Sequence, residues 1–128
     1  MPTNIRIIHA HDFINATPEG ELDFATTKKL LMEIVSASAP LGEYDIVLDT
    51  RKAQSRLSVT DLWYLAAELG KLRELFSRPV KTAVLCPLIR FDFADFFALC
   101  AKNRGFNVKA FSSLEDSIEW LIANGTDA

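Results

Sequence analysis

Two hydrophobic periods meet within thirty residues of this chain. Ile46-Val47-Leu48 is a short, wholly apolar run rich in β-branched residues, and Asp49 closes it. After a polar stretch, Leu62, Leu65, Ala66, Leu69, Leu72 and Phe76 recur at helical spacing. A continuous apolar run suits a strand covered on both faces, and the 3.6-residue repeat suits a helix lying over the sheet. Together they predict a strand from Tyr44, a loop at its C-terminal end, and a helix returning over the sheet. In open α/β sheets the crevice beyond the strand C-termini is where function collects. The loop Thr50-Arg51-Lys52-Ala53-Gln54-Ser55-Arg56-Leu57-Ser58 falls there. Ser58 and Asp61 stand in Ser-x-x-Asp spacing, a helix-start signature, and Pro79 predicts the helix's end near Phe76.

The rest of the chain repeats this alternation. Asn4 to His9 and Phe13 to Thr17 read as two strands, the first an antiparallel addition. Thr17-Pro18-Glu19-Gly20-Glu21 breaks them, and Gly20 can supply a positive φ. Asp23 is placed to cap a first helix whose inward stripe is Phe24, Thr27, Leu31, Ile34, Val35 and Ser38. Lys81 to Leu88 reads as another doubly covered strand, closed by Pro87. Phe91 to Arg104 reads as a third helix with Gly105 as its C′ residue. Asn107 to Phe111 reads as an edge strand. Ser113 opens a last helix that turns Leu114, Ile118, Leu121 and Ile122 inward and stops at Gly125. The order ββαβαβαβα predicts an open, mostly parallel mixed sheet of about five strands with four helices. One domain over residues 1–128 accommodates it, and 49% apolar residues suffice for a core without metals or disulfides.

Composition narrows the function classes. A net charge of −3 argues against nucleic-acid binding, which needs a basic face. No apolar run reaches the length of a membrane span, and Met1-Pro2-Thr3-Asn4 has no signal-peptide pattern. Cys86 and Cys100 lie in apolar surroundings and read as free thiols of a reducing, cytoplasmic compartment. No nucleophile–base order, P-loop or Gly-rich dinucleotide motif is present, and nothing in the sequence pairs with Asp49 as an acid or base. The reading is therefore of a non-enzyme without a cofactor. His9 and His11, with Asp12 adjacent, share a face but lack the further ligands zinc requires, so no metal is expected.

Several residues resemble the STAS domain family (sulfate transporters and anti-sigma factor antagonists), and more nearly its SpoIIAA-like branch of small stand-alone bacterial proteins. Gly20-Glu21-Leu22-Asp23 is similar to the family's G-x-L lead-in to the first helix, and Ile46-Val47-Leu48-Asp49 to its third strand, which ends in Asp. Lys81-Thr82-Ala83-Val84-Leu85, Asn103-Arg104-Gly105, Val108-Lys109-Ala110-Phe111 and Ile118-Glu119-Trp120-Leu121 resemble its C-terminal half. The resemblance implies a binding module that docks a protein partner. In antagonists of this family a Ser in a D-S-S-G turn is phosphorylated by a partner kinase. That turn falls here on Leu57-Ser58-Val59-Thr60, where only the Ser is kept.

The candidate site residues follow from these two lines. Ser58 is the phospho-acceptor candidate, at a helix N-terminus that would favour phosphate, with a plain N-cap as the alternative role. Arg51, Lys52, Arg56 and Arg90, with Thr60 and Asp61 beside them, are candidates for holding a partner or an anion. The alternative for the cations is charge balance with Asp49, Glu19 and Glu21. Phe93, Phe96, Phe97 and Cys100 form one helical stripe expected to pack on the sheet. Excess apolar surface at Trp63, Phe91 and Phe93 could instead line a small-molecule or lipid cavity, or a homodimer face. A carrier of a small apolar or anionic molecule is the second functional reading, and an enzyme of unknown reaction the third.

Overall fold

The computed structural model describes residues 3–8, 13–38, 45–75 and 81–122. Strands β1 (Thr3–Ile8), β2 (Phe13–Pro18), β4 (Asp45–Asp49), β6 (Lys81–Leu85) and β7 (Asn107–Phe111) form one sheet in the order β1-β2-β4-β6-β7. β1 runs antiparallel to β2, and every other neighbour in that sheet is parallel. The strand led by Ile46 is thus central and β7 lies at an edge, as the sequence predicted. Pro18 costs no rung between β2 and β4, because their register covers only Phe13 to Ala16.

Alternation along the strands divides the core into two layers. Ile14, Ala16, Ile46, Leu48 and Val84 face one side, where α1 (Phe24–Ser38), α2 (Val59–Gly70) and α3 (Phe91–Lys102) pack. Val47, Ala83 and Leu85 face the other, with Phe111 and Leu121 of α4 (Leu114–Ile122). Three of the four helices, α1, α2 and α4, begin at the caps their sequence names, while α3 starts without a side-chain cap. Thr26 N donates to Asp23 Oδ1 at 2.8 Å, and Asp116 N to Ser113 Oγ at 3.3 Å. Gly20 and Gly105 hold φ of 84° and 93°. Phe106 N donates to Ala101 O and Gly105 N to Lys102 O, a Schellman ending for α3.

Several boundaries and faces depart from the sequence reading. Two three-residue strands, β3 (Gly20–Leu22) and β5 (Ala53–Ser55), pair in parallel as a second small sheet. They occupy stretches read as a turn and a loop. α2 stops at Gly70 rather than near Phe76. Lys71 N and Leu72 N bond to Glu68 O and Leu69 O, tightening the chain into a 3₁₀ turn at Arg73–Leu75. The strand from Lys81 ends at Leu85, and after Pro87 the residues Leu88–Arg90 form another 3₁₀ turn. In α1, Leu30 joins the predicted stripe in the core.

In α3 the buried residues are Phe97, Ala98 and Ala101. Phe96 and Cys100 pack against them in part, but Phe93 is exposed rather than packed on the sheet. In α4, Leu114 and Ile122 are exposed where burial was expected. The inward positions are Ser117 and Leu121, because α4 covers only the end of the sheet around β6 and β7. Ser117 is accommodated there by donating to Leu114 O at 2.7 Å. His9, His11 and Asp12 lie outside the described residues.

Candidate functional site

The parallel order brings the C-terminal ends of β4 and β6 together, and the segments leaving them form one face. The chain beyond β4 is held rather than loose. Thr50 N and Thr50 Oγ1 both donate to Leu85 O, at 2.8 and 2.9 Å. β5 is zipped to β3, and Arg56 N donates to Leu22 O at 2.8 Å. From the far side Arg90 Nη2 donates to Thr50 O at 3.1 Å and to Ala53 O at 3.0 Å. Arg90 is thus a strap between the turn after β6 and the segment after β4. Ala53 opens β5 and its N–H already donates to Thr50 O at 3.1 Å, so the guanidinium adds charge-assisted bonds to carbonyls at the entry to that strand.

The other predicted cations are spent close by. Arg51 Nε and Nη2 donate to Asp49 Oδ1 and Oδ2 at 3.0 and 2.9 Å, a two-point clamp. Burial alone would raise the Asp49 pKa. Hydrogen bonds from the Arg51 side chain and backbone, with the charges of Arg51 and Lys52, outweigh it and hold the carboxyl below its ordinary value. Arg56 Nε bonds Glu21 Oε2 at 2.7 Å. Lys52 is exposed and makes no ion pair among the described residues. Ser58 and Asp61 form a complete capping box. Asp61 N donates to Ser58 Oγ at 3.1 Å and Ser58 N to Asp61 Oδ2 at 3.0 Å. Thr60 is exposed on the first turn of α2.

Around this tied framework lies apolar surface. Ile89 is 91% exposed and Leu88 76%, with Val59 and Phe93 about half exposed. Beneath it, between α1, the start of α2, α3 and the ends of β4 and β6, is a cavity of about 80 Å³. Phe93 and Arg90 line it; Trp63 and Phe91 do not. Trp63 instead stands on another flank of α2, where the Arg104 guanidinium covers its ring at 5.1 Å and Tyr64 meets its edge. Burial raises the pKa of the Cys86 thiol on the cavity wall, against the pull of the Arg90 charge. Sequence reasoning had placed Thr27 in the inward stripe of α1 but gave it no role. It too lines the cavity, and a hydroxyl amid an apolar stripe was the signal available. Among the described residues no cluster of three or more His, Cys, Asp or Glu could hold a metal. No helix among them is long and apolar enough to cross a membrane.

No protein-family profile matches the chain, and no curated protein matches it. Solved structures do. One is an uncharacterised protein of the DUF3478 family with a SpoIIAA-like fold, from Shewanella loihica PV-4. It matches with a TM-score of 0.59 at 18% identity over 93% of each chain. The fold is SpoIIAA-like. The anti-sigma factor antagonist SpoIIAA in its unphosphorylated form matches with a TM-score of 0.54 at 17% identity, over 96% of this chain and 100% of that one. The resemblance read from Ile46-Val47-Leu48-Asp49 and the C-terminal motifs is therefore a resemblance of fold.

Proposed function

We propose that this chain is a non-enzymatic, cytoplasmic regulatory module, a single STAS-like unit over residues 1–128 that docks a protein partner. Its docking face comprises the segment 50–58, the first turn of α2 and the turn Leu88–Arg90. The observation that carries this reading is the exposure of Leu88 and Ile89 on a turn anchored by Arg90. A short element holding two large apolar side chains in water has no use in the core, and apolar surface on a fixed backbone suits association. The likeness to SpoIIAA, an anti-sigma factor antagonist, supports the same class of function by analogy.

Ser58 is the residue through which docking would be modulated. It is exposed, and its hydroxyl oxygen accepts the Asp61 amide while the Asp61 carboxylate accepts the Ser58 amide. A phosphate on that oxygen would gain the free amides of the helix start but meet the Asp61 charge. It would therefore replace the capping box and reshape the start of α2, on the docking face.

The test is capture of a partner from the protein's own host, repeated with Ile89→Glu and with Arg104→Ala as an off-face control. A partner retained by wild type and the control but lost from the folded Ile89→Glu variant is the expected result. Capture indifferent to Ile89→Glu overturns the assignment of the face. Intact mass of the host-purified protein tests Ser58 separately, and absence of phosphate under every growth condition removes the switch.

A further inference from the structure

The cavity beneath the docking face has one feature that packing does not explain. Polar groups on its wall are engaged, with one exception. Thr50 Oγ1 donates to Leu85 O, Ser55 Oγ accepts from Leu57 N at 3.3 Å, the Cys86 thiol reaches Phe111 O at 3.7 Å, and Arg90 holds two carbonyls. Thr27 is only 7% exposed, yet its Oγ1 finds no hydrogen-bond partner among the described residues. A buried hydroxyl without a partner is unfavourable, and helical Thr commonly relieves this by bonding back to the preceding turn. The surrounding wall is otherwise apolar, with Leu30, Leu31, Leu48 and Phe97 among its residues.

We infer that this cavity is a binding site for a small neutral molecule, mainly apolar, whose single hydroxyl or carbonyl group pairs with Thr27 Oγ1. A Thr hydroxyl both donates and accepts, so it can receive either group. The apolar wall disfavours charged ligands, and the Arg90 guanidinium disfavours cations in particular. A cavity of about 80 Å³ encloses a body of about four or five heavy atoms or two to three waters. Larger ligands have room to extend. A second cavity of about 40 Å³ shares the walls Leu31, Leu48, Val84 and Phe97, and exposed Ser55 and Phe93 stand on the rim of the first. This inference does not depend on protein docking, because it rests on the interior.

Two probes separate apolar space from hydroxyl recognition. Xenon under pressure reports the space alone, and 1-butanol adds one hydroxyl to a body of suitable size. Both are titrated against ¹⁵N-labelled protein while the amides of Thr27, Leu57 and Ala94 are followed. Saturable shifts with both probes are expected. Thr27→Val should leave xenon binding unchanged and weaken butanol about fivefold, the effect of one lost hydrogen bond. Ala94→Leu, which adds bulk to the wall, should abolish both. Absence of saturable shifts in wild type overturns the site, and equal butanol affinity in wild type and Thr27→Val overturns the role of the hydroxyl. Thr27→Val keeps side-chain shape, so it remains informative if Ala94→Leu does not fold.

Discussion

Replacing Thr27 by Val should stabilise the protein. Threonine and valine are near-isosteric, both are β-branched, and their helix propensities are close, so the substitution in α1 changes chemistry rather than shape. In the folded protein the hydroxyl is buried and finds no partner among the described residues, whereas in the unfolded chain water satisfies it. Burying such a group costs about 1–3 kcal/mol, and a buried methyl in its place contributes favourably. Allowing for partial relaxation of the wall, the expected gain is about 1–2 kcal/mol. With an unfolding entropy of about 2.1 cal/mol/K per residue over 128 residues, that raises Tm by about 4–7 °C. Thermal and urea unfolding followed by circular dichroism measure it without added ligand. Thr27→Ser serves as a control that keeps the hydroxyl, removes a methyl and should lower stability. A Thr27→Val protein less stable than wild type would refute the reasoning, because it would mean that the hydroxyl is satisfied in the folded state.

Three further outcomes follow from the site. Ser58→Ala removes one half of the capping box and should cost about 1 kcal/mol in urea unfolding, with the rest of the fold intact by NMR. Arg90→Ala cuts the strap to Thr50 O and Ala53 O; about 2 kcal/mol should be lost, and hydrogen exchange should quicken in residues 50–55 before it does in the central strand. Asp49 is held below its ordinary pKa of 3.8 in the folded protein, so its contribution is fully present above that value and is lost as pH falls through the lowered one. The stability gap between wild type and Asp49→Asn should therefore be constant near neutrality and narrow below about pH 4; a gap that widens on acidification would contradict the assignment.

The parts of the fold visible in sequence were those written in long, repeated patterns. Ile46-Val47-Leu48 and Ala83-Val84-Leu85 carried the doubly covered strands, and Asp23, Ser58 and Ser113 marked helix starts that their hydrogen bonds match. β3 and β5 were not legible, because three residues are too few to show a period and Gly20-Glu21-Leu22 is held by Ala53-Gln54-Ser55 from elsewhere in the chain. The face of α4 was misread for a related reason. Hydrophobicity nominated Leu114 and Ile122, but these are the two end residues of α4 and both are exposed, whereas Ser117, Ile118, Trp120 and Leu121 between them pack against the edge of the sheet. In α3 the dense phenylalanines concealed the fact that alanines carry much of the contact. Ala98 and Ala101 are buried, and Phe93 is left at the cavity rim. The cavity depends on distances between α1, α2 and α3, which no local pattern encodes.

Those distances also change what the basic residues of the loop can do. In sequence, Arg51, Lys52, Arg56 and Arg90 look like a cluster for an anion. In the fold, Arg51 is clamped to Asp49, Arg56 is paired with Glu21, and Arg90 is tied to two backbone carbonyls. An anion would have to displace those bonds, while Lys52 alone offers a diffuse, exposed charge. Recognition at this face should therefore rest on Leu88, Ile89 and Val59 rather than on steering by charge. Apolar association is weakened little by salt, whereas contacts between exposed charges are screened beyond about 10 Å at 0.1 M ionic strength. The affinity of the captured partner should then change less than about threefold between low and high salt and fall about tenfold or more with Ile89→Glu. The opposite pattern, with steep salt dependence and indifference to Ile89→Glu, would return recognition to the cations and show that the partner opens the pairs at Asp49 and Glu21.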